Sequence, residues 1–362
     1  MPRSLADRVV NTSLRIRPDD TVLIDTWQHT IPLADEIAFE CKKAGAQPIT
    51  LLNTDQLNWR VLAKIPIEYL RKRDRHALRM LDETSAAIFI NGPENPATYR
   101  KIEAARLAAT FENYQAFSEK LREKKIRSAY LAIGQVTKPR AKTYGYNYLQ
   151  WKRLVESASN ADNGKMAQTG KKITTILGNG KQVEVTSDQG TSLRLEIGPY
   201  GARTEDGIVD EEDLDKGLYF TSIPTGIVAA APVETSAEGT VYSDLPRAQV
   251  GRLIKGLKWE FQNGRLVKST AKQYPEAFQN LYDNARGDKD QIASLTIGLN
   301  PQNKPMGFLN DELGLGVVSI GIGENRAIGG NNNSDFEFST AMAKATVKVD
   351  GRPLVEKGKL SL

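Results

Sequence analysis

Histidine is scarce in this sequence of 362 residues, which contains only His29 and His76, both in the first quarter of the chain. A site built from two or three histidines elsewhere in the chain is therefore excluded. Most hydrolytic zinc sites use at least one imidazole. The sequence therefore argues against metal-dependent hydrolysis, and we predict that the protein uses no metal and no other cofactor.

Cysteine and long apolar runs are also scarce. Cys41 is the only cysteine, so an intrachain disulfide is excluded, and a buried apolar role is favoured over a reactive thiol. No apolar run approaches the length of a membrane helix, and the first residues, MPRSLADRVV, contain no apolar signal segment. These absences predict a cytoplasmic protein with no membrane partner.

Positive charge is concentrated in the first part of the chain. Residues 1–164 carry 26 Lys and Arg against 19 Asp and Glu, whereas the remainder carries 23 against 25. The basic residues cluster at 71–79, 120–127 and 138–142, where they alternate with apolar residues at helical spacing. This spacing is typical of a solvated helix face, and no zinc-finger or helix-turn-helix spacing accompanies it, so we exclude nucleic acid as a partner.

The first half of the sequence alternates short apolar runs with helical segments. The runs predicted as strands are 21–26, 47–53, 86–92 and 128–134. Strands and helices in repeated alternation predict an α/β domain with an open, mostly parallel sheet. No glycine-rich phosphate-binding motif follows any of these strands, so we do not expect a nucleotide.

The composition changes at 157–171, which is rich in Ser, Asn and Gly, and we predict two domains there, 1–164 and 165–362. Asn179-Gly180 and Asn263-Gly264 are dipeptides that two-residue hairpin turns prefer. One helix is predicted near 274–285, between segments with strand character. The second domain is therefore predicted to be mainly antiparallel β, in an α+β arrangement.

Four motifs occur in order in the second half of the chain: P-T-G-x-V…A-P with A-E-G-T, I-G-x-N-P, I-G-x-G-x-N…G-G, and S-D…T-V-x-V-D-G. They lie in 222–244, 292–330 and 331–351, and their order resembles the thermophilic leucyl aminopeptidase family of dinuclear-metal exopeptidases, the aminopeptidase T and aminopeptidase S type. The resemblance covers nearly the whole chain. It implies an aminopeptidase T-like fold, a peptide substrate and a homodimer.

The resemblance also implies five metal-ligand positions, which in the family hold carboxylates and imidazoles. In this sequence they are occupied by Ile227, Ser294, Ser319, Glu337 and Ser339. Neutral hydroxyls are poor substitutes for carboxylates and imidazoles, and an isoleucine has no donor atom. The sequence is therefore similar to a degenerate member of the family that lacks the metal ligands.

Glu337 is the preferred catalytic candidate because it lies between Phe336 and Phe338 at a position expected to face the cleft. A carboxyl group in a partly dry pocket acquires a raised pKa, which suits general acid and base catalysis. A structural carboxylate is the alternative. Glu238 is a second candidate, unless it caps a turn, and His29 is a third because it follows the first strand, unless it packs against Trp27.

Further polar residues are predicted to line the cleft and bind the substrate. They are Tyr242, Ser294, Asn300, Ser319, Asp335 and Ser339. The serines have no nearby histidine that could activate them, so a serine-hydrolase triad is excluded.

Three functions remain open from the sequence. The first is a metal-free, aminopeptidase-like protein that binds a peptide and modifies or presents it, for example during maturation of a ribosomally made natural product. The second is a non-catalytic dimeric scaffold or partner subunit for another protein. The third is an active metalloaminopeptidase whose ligands lie at other positions. The fold alone does not choose among them, because the same scaffold also hosts a ring-opening iron dioxygenase.

Overall fold

The computed structural model describes residues 4–90, 92–308 and 310–362 of the chain. Two compact units are present: the first comprises the chain up to Ser159 together with Gly207–Pro224, and the second comprises Asn160–Asp206 with Thr225–Leu362. The units are thus not the two contiguous domains expected from the sequence, because 207–224 returns to the first unit. In the described residues, no helix combines the length and the apolar character needed to cross a membrane.

The first unit is built on a sheet of five parallel strands. In spatial order the strands are Gln47–Asn53, Thr21–Trp27, Ala86–Phe89, Arg127–Leu131 and Phe220–Ile223. The four strands predicted from the sequence are therefore confirmed in position, although the predicted run 86–92 includes Asn91, which lies outside the described residues. The fifth strand was not predicted.

Helices cover the sheet of the first unit. Their apolar faces bury Val10, Ile37 and Cys41 together with Ile24 and Ile88 of the sheet, so Cys41 lies in the core as the sequence suggested. The helices are Leu5–Asp7, continued by the π-helical turn Arg8–Ser13, and Ile31–Lys43, Asp55–Lys64, Ile67–Leu70, Arg75–Met80, Ala104–Glu123, Lys138–Tyr144, Tyr148–Ser159 and Glu211–Asp215. Short 3-10 helices are Gln28–Thr30, Pro96–Lys101 and Ala132–Gln135.

The second unit is dominated by antiparallel strands. One continuous path of neighbouring strands runs Glu337–Met342, Val318–Gly323, Ile292–Gly298, Ile227–Pro232, Ser192–Glu205, Gln182–Thr186, Thr346–Val349, Arg352–Glu356 and Lys359–Leu360. Further strands are Glu238–Tyr242, Lys258–Gln262 and Arg265–Thr270, and a separate hairpin joins Arg247–Gln249 to Arg252–Ile254. Helices are Asn163–Asn179 and Glu276–Asn284, with 3-10 turns at Asp311–Leu313 and Arg326–Ile328.

One of the two predicted hairpin turns is confirmed and the other is wrong. Asn263 and Gly264 both have positive φ, as a type I′ turn requires, and join two paired strands. Asn179 instead ends the helix Asn163–Asn179, which Asp162 caps and which buries Ile173 and Leu177 one turn apart. The i, i+4 burial of these side chains outweighed the local turn signal of the dipeptide.

Candidate functional site

The five positions that the sequence resemblance assigned to metal ligands lie on one face of one sheet. Directly paired residues of antiparallel strands project to the same side. Gly321 is paired with both Ser294 and Ser339, Gly323 is paired with Glu337, and Ser319 is paired with Thr296. Gly298 lies two residues after Thr296, so it projects to the same side, and it is paired with Ile227. The register therefore places all five positions on one face of the sheet, which we call the site face.

The side chains on the site face do not fit a pair of divalent metal ions. Glu337 provides the one carboxylate among the five positions, three serines provide neutral hydroxyls, and Ile227 provides no donor. Such ions need several anionic or imidazole donors that converge at about 2.0–2.2 Å. Among the described residues, no group of three or more His, Cys, Asp or Glu side chains is placed to hold a metal ion.

Glu337 lies at the start of the edge strand, and its side chain is accessible to solvent. Protein atoms nevertheless surround its carboxyl group closely enough that desolvation raises its pKa to about 7. The negative charges of Glu312 and Glu324 raise this pKa further, while Arg247 opposes the rise. The carboxyl group can therefore both accept and donate a proton near neutral pH.

Arg247 reaches this edge of the sheet from the separate hairpin. Its Nη1 donates a hydrogen bond to Ser339 Oγ at 3.0 Å, and Ser339 Oγ donates to Glu312 Oε2 at 3.0 Å. The guanidinium carbon lies 4.8 Å from the centre of the Phe338 ring, at cation–π distance. Desolvation lowers the pKa of Arg247, and the carboxylates of Glu312 and Glu337 counteract this effect. A fixed cation and its carboxylate partners thus occupy the edge of the site face.

The loop that precedes the strand Val318–Gly323 positions Glu312. Asp311 is buried and accepts backbone hydrogen bonds from Met306 at 2.8 Å and Gly307 at 2.5 Å. Desolvation raises the pKa of Asp311 to about 7 despite these bonds. By anchoring the loop, Asp311 fixes the 3-10 turn that presents Glu312 to Ser339.

Two hydroxyls at the centre of the site face are buried without partners. Ser319 Oγ and Thr296 Oγ1 belong to directly paired residues, and neither has a hydrogen bond within the described part of the chain. The neighbouring Gly321 leaves room for Ser294, because a Cβ at position 321 would lie 2.3 Å from Ser294 Oγ. The centre of the face is therefore lined by small side chains.

Two of the remaining candidates lie beside the site face and hold backbone in place. Asn300 is fully buried, accepts hydrogen bonds from the backbone of Gln302 and Asn303, and donates to the carbonyl of Thr225. Asp335 accepts a hydrogen bond from the backbone of Arg286 at 2.6 Å, just before the strand that carries Glu337. Both side chains use polar atoms within the loops that border the face.

The strand Glu238–Tyr242 does not belong to the four strands that form the site face. Glu238 is exposed and accepts a hydrogen bond from the backbone of Asn263 at 2.5 Å, so it caps the hairpin turn. Tyr242 is half-buried, and Lys272 Nζ lies 5.4 Å from its ring centre. The structure thus does not bring these two residues into the Arg247 and Glu337 cluster.

His29 belongs to the first unit, whereas the site face belongs to the second. Its Nε2 lies 2.8 Å from the carbonyl oxygen of Gly134, so Nε2 carries the proton and donates it. The bond fixes the ring between the 3-10 helices Gln28–Thr30 and Ala132–Gln135. Within its own unit, His29 therefore has an ordered orientation beyond the carboxyl end of the first strand.

Arg247 is the site residue that the sequence did not reveal. It lies in a short strand of the hairpin between Tyr242 and Lys258, in a segment without any motif. Only the long-range pairing that brings the hairpin to Ser339 gives it a role.

Comparison with known proteins gives a consistent result. The profile of the thermophilic metalloprotease family (M29) matches residues 3–290, so the match ends before Ser294, Ser319, Glu337 and Ser339. Wild-type AmpT from Thermus thermophilus has a similar structure, with a TM-score of 0.74, 16% identity, and coverage of 99% of this chain and 98% of that one. The 2,5-dihydroxypyridine dioxygenase from Pseudomonas putida KT2440 is also similar, with a TM-score of 0.63, 14% identity, and coverage of 96% and 93%. No curated protein sequence matches the chain.

Proposed function

The chain belongs to the thermophilic metalloprotease family (M29), and we propose that it binds a peptide on the site face and modifies or presents it without metal-activated water. One observation carries the proposal. The five positions expected to hold metal ligands converge on one face, yet they supply a single carboxylate, three hydroxyls and an isoleucine. The face is retained while its metal-binding donors are replaced.

Glu337 is the group that we propose for proton transfer. The residue is exposed, and the pKa of its carboxyl group, about 7, leaves both protonation states populated at neutral pH. Such a group can take a proton from a peptide amine or amide and return it to a leaving or carbonyl atom of the same peptide. Glu312 and Arg247 tune this pKa in opposite directions.

The half-buried serines of the face, Ser294 and Ser339, are the positions at which we propose contact with peptide backbone. Ser294 is half-buried and could form a hydrogen bond with it, and Ser339 is held between Arg247 and Glu312. We propose cytoplasmic maturation of a ribosomally made peptide as the setting, with the protein acting as a cyclising enzyme or as an accessory that presents the peptide. Genes that neighbour its own would identify the precursor peptide.

The proposal is tested by measuring whether the affinity for peptides depends on metal ions. Binding of fluorescently labelled synthetic peptides with different first residues would be measured by anisotropy, with EDTA and with added Zn²⁺ or Co²⁺. We expect the same affinity in all three conditions and no release of p-nitroaniline from leucine p-nitroanilide. Elemental mass spectrometry after soaking in zinc, cobalt, manganese and iron should detect far less than one equivalent per chain.

Two outcomes would overturn the proposal. Metal-dependent hydrolysis of leucine p-nitroanilide would show an active metalloaminopeptidase with ligands at other positions. Unchanged conversion of a precursor peptide by the E337Q variant would remove the acid and base role of Glu337. The E238Q variant is the matched control, because Glu238 caps a hairpin turn outside the cluster.

A non-catalytic partner subunit is the second candidate, and one observation favours it. The edge strand Gln47–Asn53 of the first unit exposes Ile49 by 54% and Leu52 by 55%. Because side chains alternate along a strand, Ile49 and Leu52, three residues apart, point to opposite faces of a strand that pairs along one edge only among the described residues. A second copy or a related chain could cover them. Light scattering that reports a monomer at all concentrations, alone and with co-encoded proteins, would contradict this function.

A further inference from the structure

A basic depression lies on the surface of the first unit, apart from the residues of the site face. It has a volume of about 640 Å³, and Arg100, Lys138 and Lys142 line it. Asn95 and Thr143 add polar groups, and no carboxylate is among its lining residues. The volume suits a small molecule, since ligand pockets commonly measure about 300–1,000 Å³.

Two structural elements supply the three cations. Lys138 and Lys142 are one turn apart on the helix Lys138–Tyr144 and therefore project from the same side. Arg100 comes from the 3-10 helix Pro96–Lys101, and its Nη2 donates a hydrogen bond to the carbonyl oxygen of Thr143 at 3.2 Å. This bond joins the two elements and keeps the guanidinium beside the lysines.

The lysine charges are not neutralised by the protein. Within the described ranges, no ion pair joins Lys138 or Lys142 to a carboxylate, and Lys138 Nζ lies 5.9 Å from the centre of the Tyr148 ring. Like charges four residues apart on a helix repel each other and destabilise the helix. A bound anion would remove this repulsion, and a concave positive surface concentrates anions.

The arrangement differs from an ordinary solvated helix face. On such a face, cations point into solvent in one direction, whereas here cations from two elements converge around a concavity. A guanidinium presents a planar fork of donors and an ammonium a compact charge, and both are common in phosphate sites. Ala97 and Pro139 are the apolar residues among those that line it, and none of the lining residues carries an aromatic ring that could stack on a base.

We propose that this depression binds a phosphate-bearing small molecule through its polyanionic group. Two phosphates can contact the lysines and the arginine together, so a diphosphate is expected to bind more tightly than a single phosphate. Recognition rests on the charged group and not on a nucleobase, which agrees with the absence of a nucleotide-binding motif in the sequence. The proposal is independent of the function assigned to the site face.

Isothermal titration of the full chain with pyrophosphate, at low ionic strength, tests the site. We expect saturable binding near one equivalent, at least tenfold weaker binding of inorganic phosphate, and weaker binding as salt is added. The variant K138Q/K142Q should bind pyrophosphate at least tenfold more weakly. Because both lysines are exposed, the variant should fold, which its circular dichroism spectrum and melting temperature would verify.

The matched control is K171Q/K172Q, which removes two exposed lysines from the helix Asn163–Asn179 and changes the net charge equally. It should bind pyrophosphate as the unmodified chain does. Equal weakening in both variants would show a general charge effect and overturn the site. So would the absence of saturable binding. Citrate binding as tight as that of pyrophosphate would overturn the assignment to phosphate.

Discussion

Replacing Asp25 by asparagine is expected to stabilise the protein at neutral pH. Asp25 lies near the carboxyl end of the strand Thr21–Trp27, and desolvation raises the pKa of its carboxyl group from 3.8 to about 6. Asn53 Nδ2 donates to Oδ1 at 2.6 Å and opposes part of this rise. The D25N variant removes the charge that burial disfavours and keeps an oxygen that can accept the hydrogen bond from Asn53.

The size and sign of the effect follow from linkage between protonation and folding. A rise of about 2 pH units, at 1.36 kcal/mol for each, corresponds to about 3 kcal/mol, an upper value because the side chain is partly exposed. Between about pH 4 and pH 6 the folded carboxyl holds its proton while the unfolded one has lost it. The free energy of unfolding of the unmodified protein therefore gains a contribution from Asp25 below about pH 4 and loses it as the pH rises through about 6.

Urea titrations followed by tryptophan fluorescence at pH 4, 5, 6 and 7 measure this difference. D25N should exceed the unmodified protein by up to about 3 kcal/mol at pH 7, and the advantage should vanish near pH 4. The control is D35N, which makes the same charge change at an exposed position on the helix Ile31–Lys43. A D25N variant that is less stable at pH 7, or equally stabilised at pH 4 and pH 7, would refute the reasoning.

Three further predictions concern buried charge and buried hydroxyls. Arg127 and Asp20 form a buried ion pair at 2.6 Å, so R127M should lower the free energy of unfolding by about 3–5 kcal/mol, and D20N/R127M should recover part of it; urea unfolding of both variants checks this. Glu312 raises the pKa of Glu337, so E312Q should lower the pH at which the Glu337 carboxyl titrates, which ¹³C NMR would detect; an unchanged midpoint would contradict the coupling. Ser319 Oγ is buried without a partner in the part of the chain that the structure describes, so S319A should raise the melting temperature, because an unpaired buried hydroxyl costs about 1–3 kcal/mol; a lower melting temperature would reveal a partner.

The strands of the fold were predictable where a short apolar run ends at a polar residue or a glycine. All four predicted strands ended in a polar residue or glycine and were found within a few residues of their predicted places. The strand Phe220–Ile223 was missed because its pairing with Arg127–Leu131 is non-local, and four residues are too few to show a pattern. Local sequence cannot reveal that such a segment returns to an earlier sheet.

The position of the site could be predicted from the sequence, but the charged groups that shift the pKa of Glu337 could not. The resemblance to the aminopeptidase family implied that Ser294, Ser319, Glu337 and Ser339 share one site, and the strand register brings them to one face. The raised pKa of Glu337 was expected from flanking aromatic residues. Desolvation, which that expectation assumed, is the largest cause in the structure, and the charge of Glu312, contributed by a separate loop, adds to it. Because such causes depend on tertiary packing, their source could not be predicted from neighbours in the sequence.

The return of Gly207–Pro224 to the first unit affects the order of events on the ribosome. The strand Arg127–Leu131 waits for Phe220–Ile223, about 90 residues later, which at 5–20 residues per second takes roughly 5–20 s. During that interval one edge of the nascent sheet has unpaired backbone groups, and the chain of the second unit is already being made. Such an edge is a binding site for chaperones and for other nascent chains. Synonymous codons that slow translation between these strands should therefore lower the yield of folded protein.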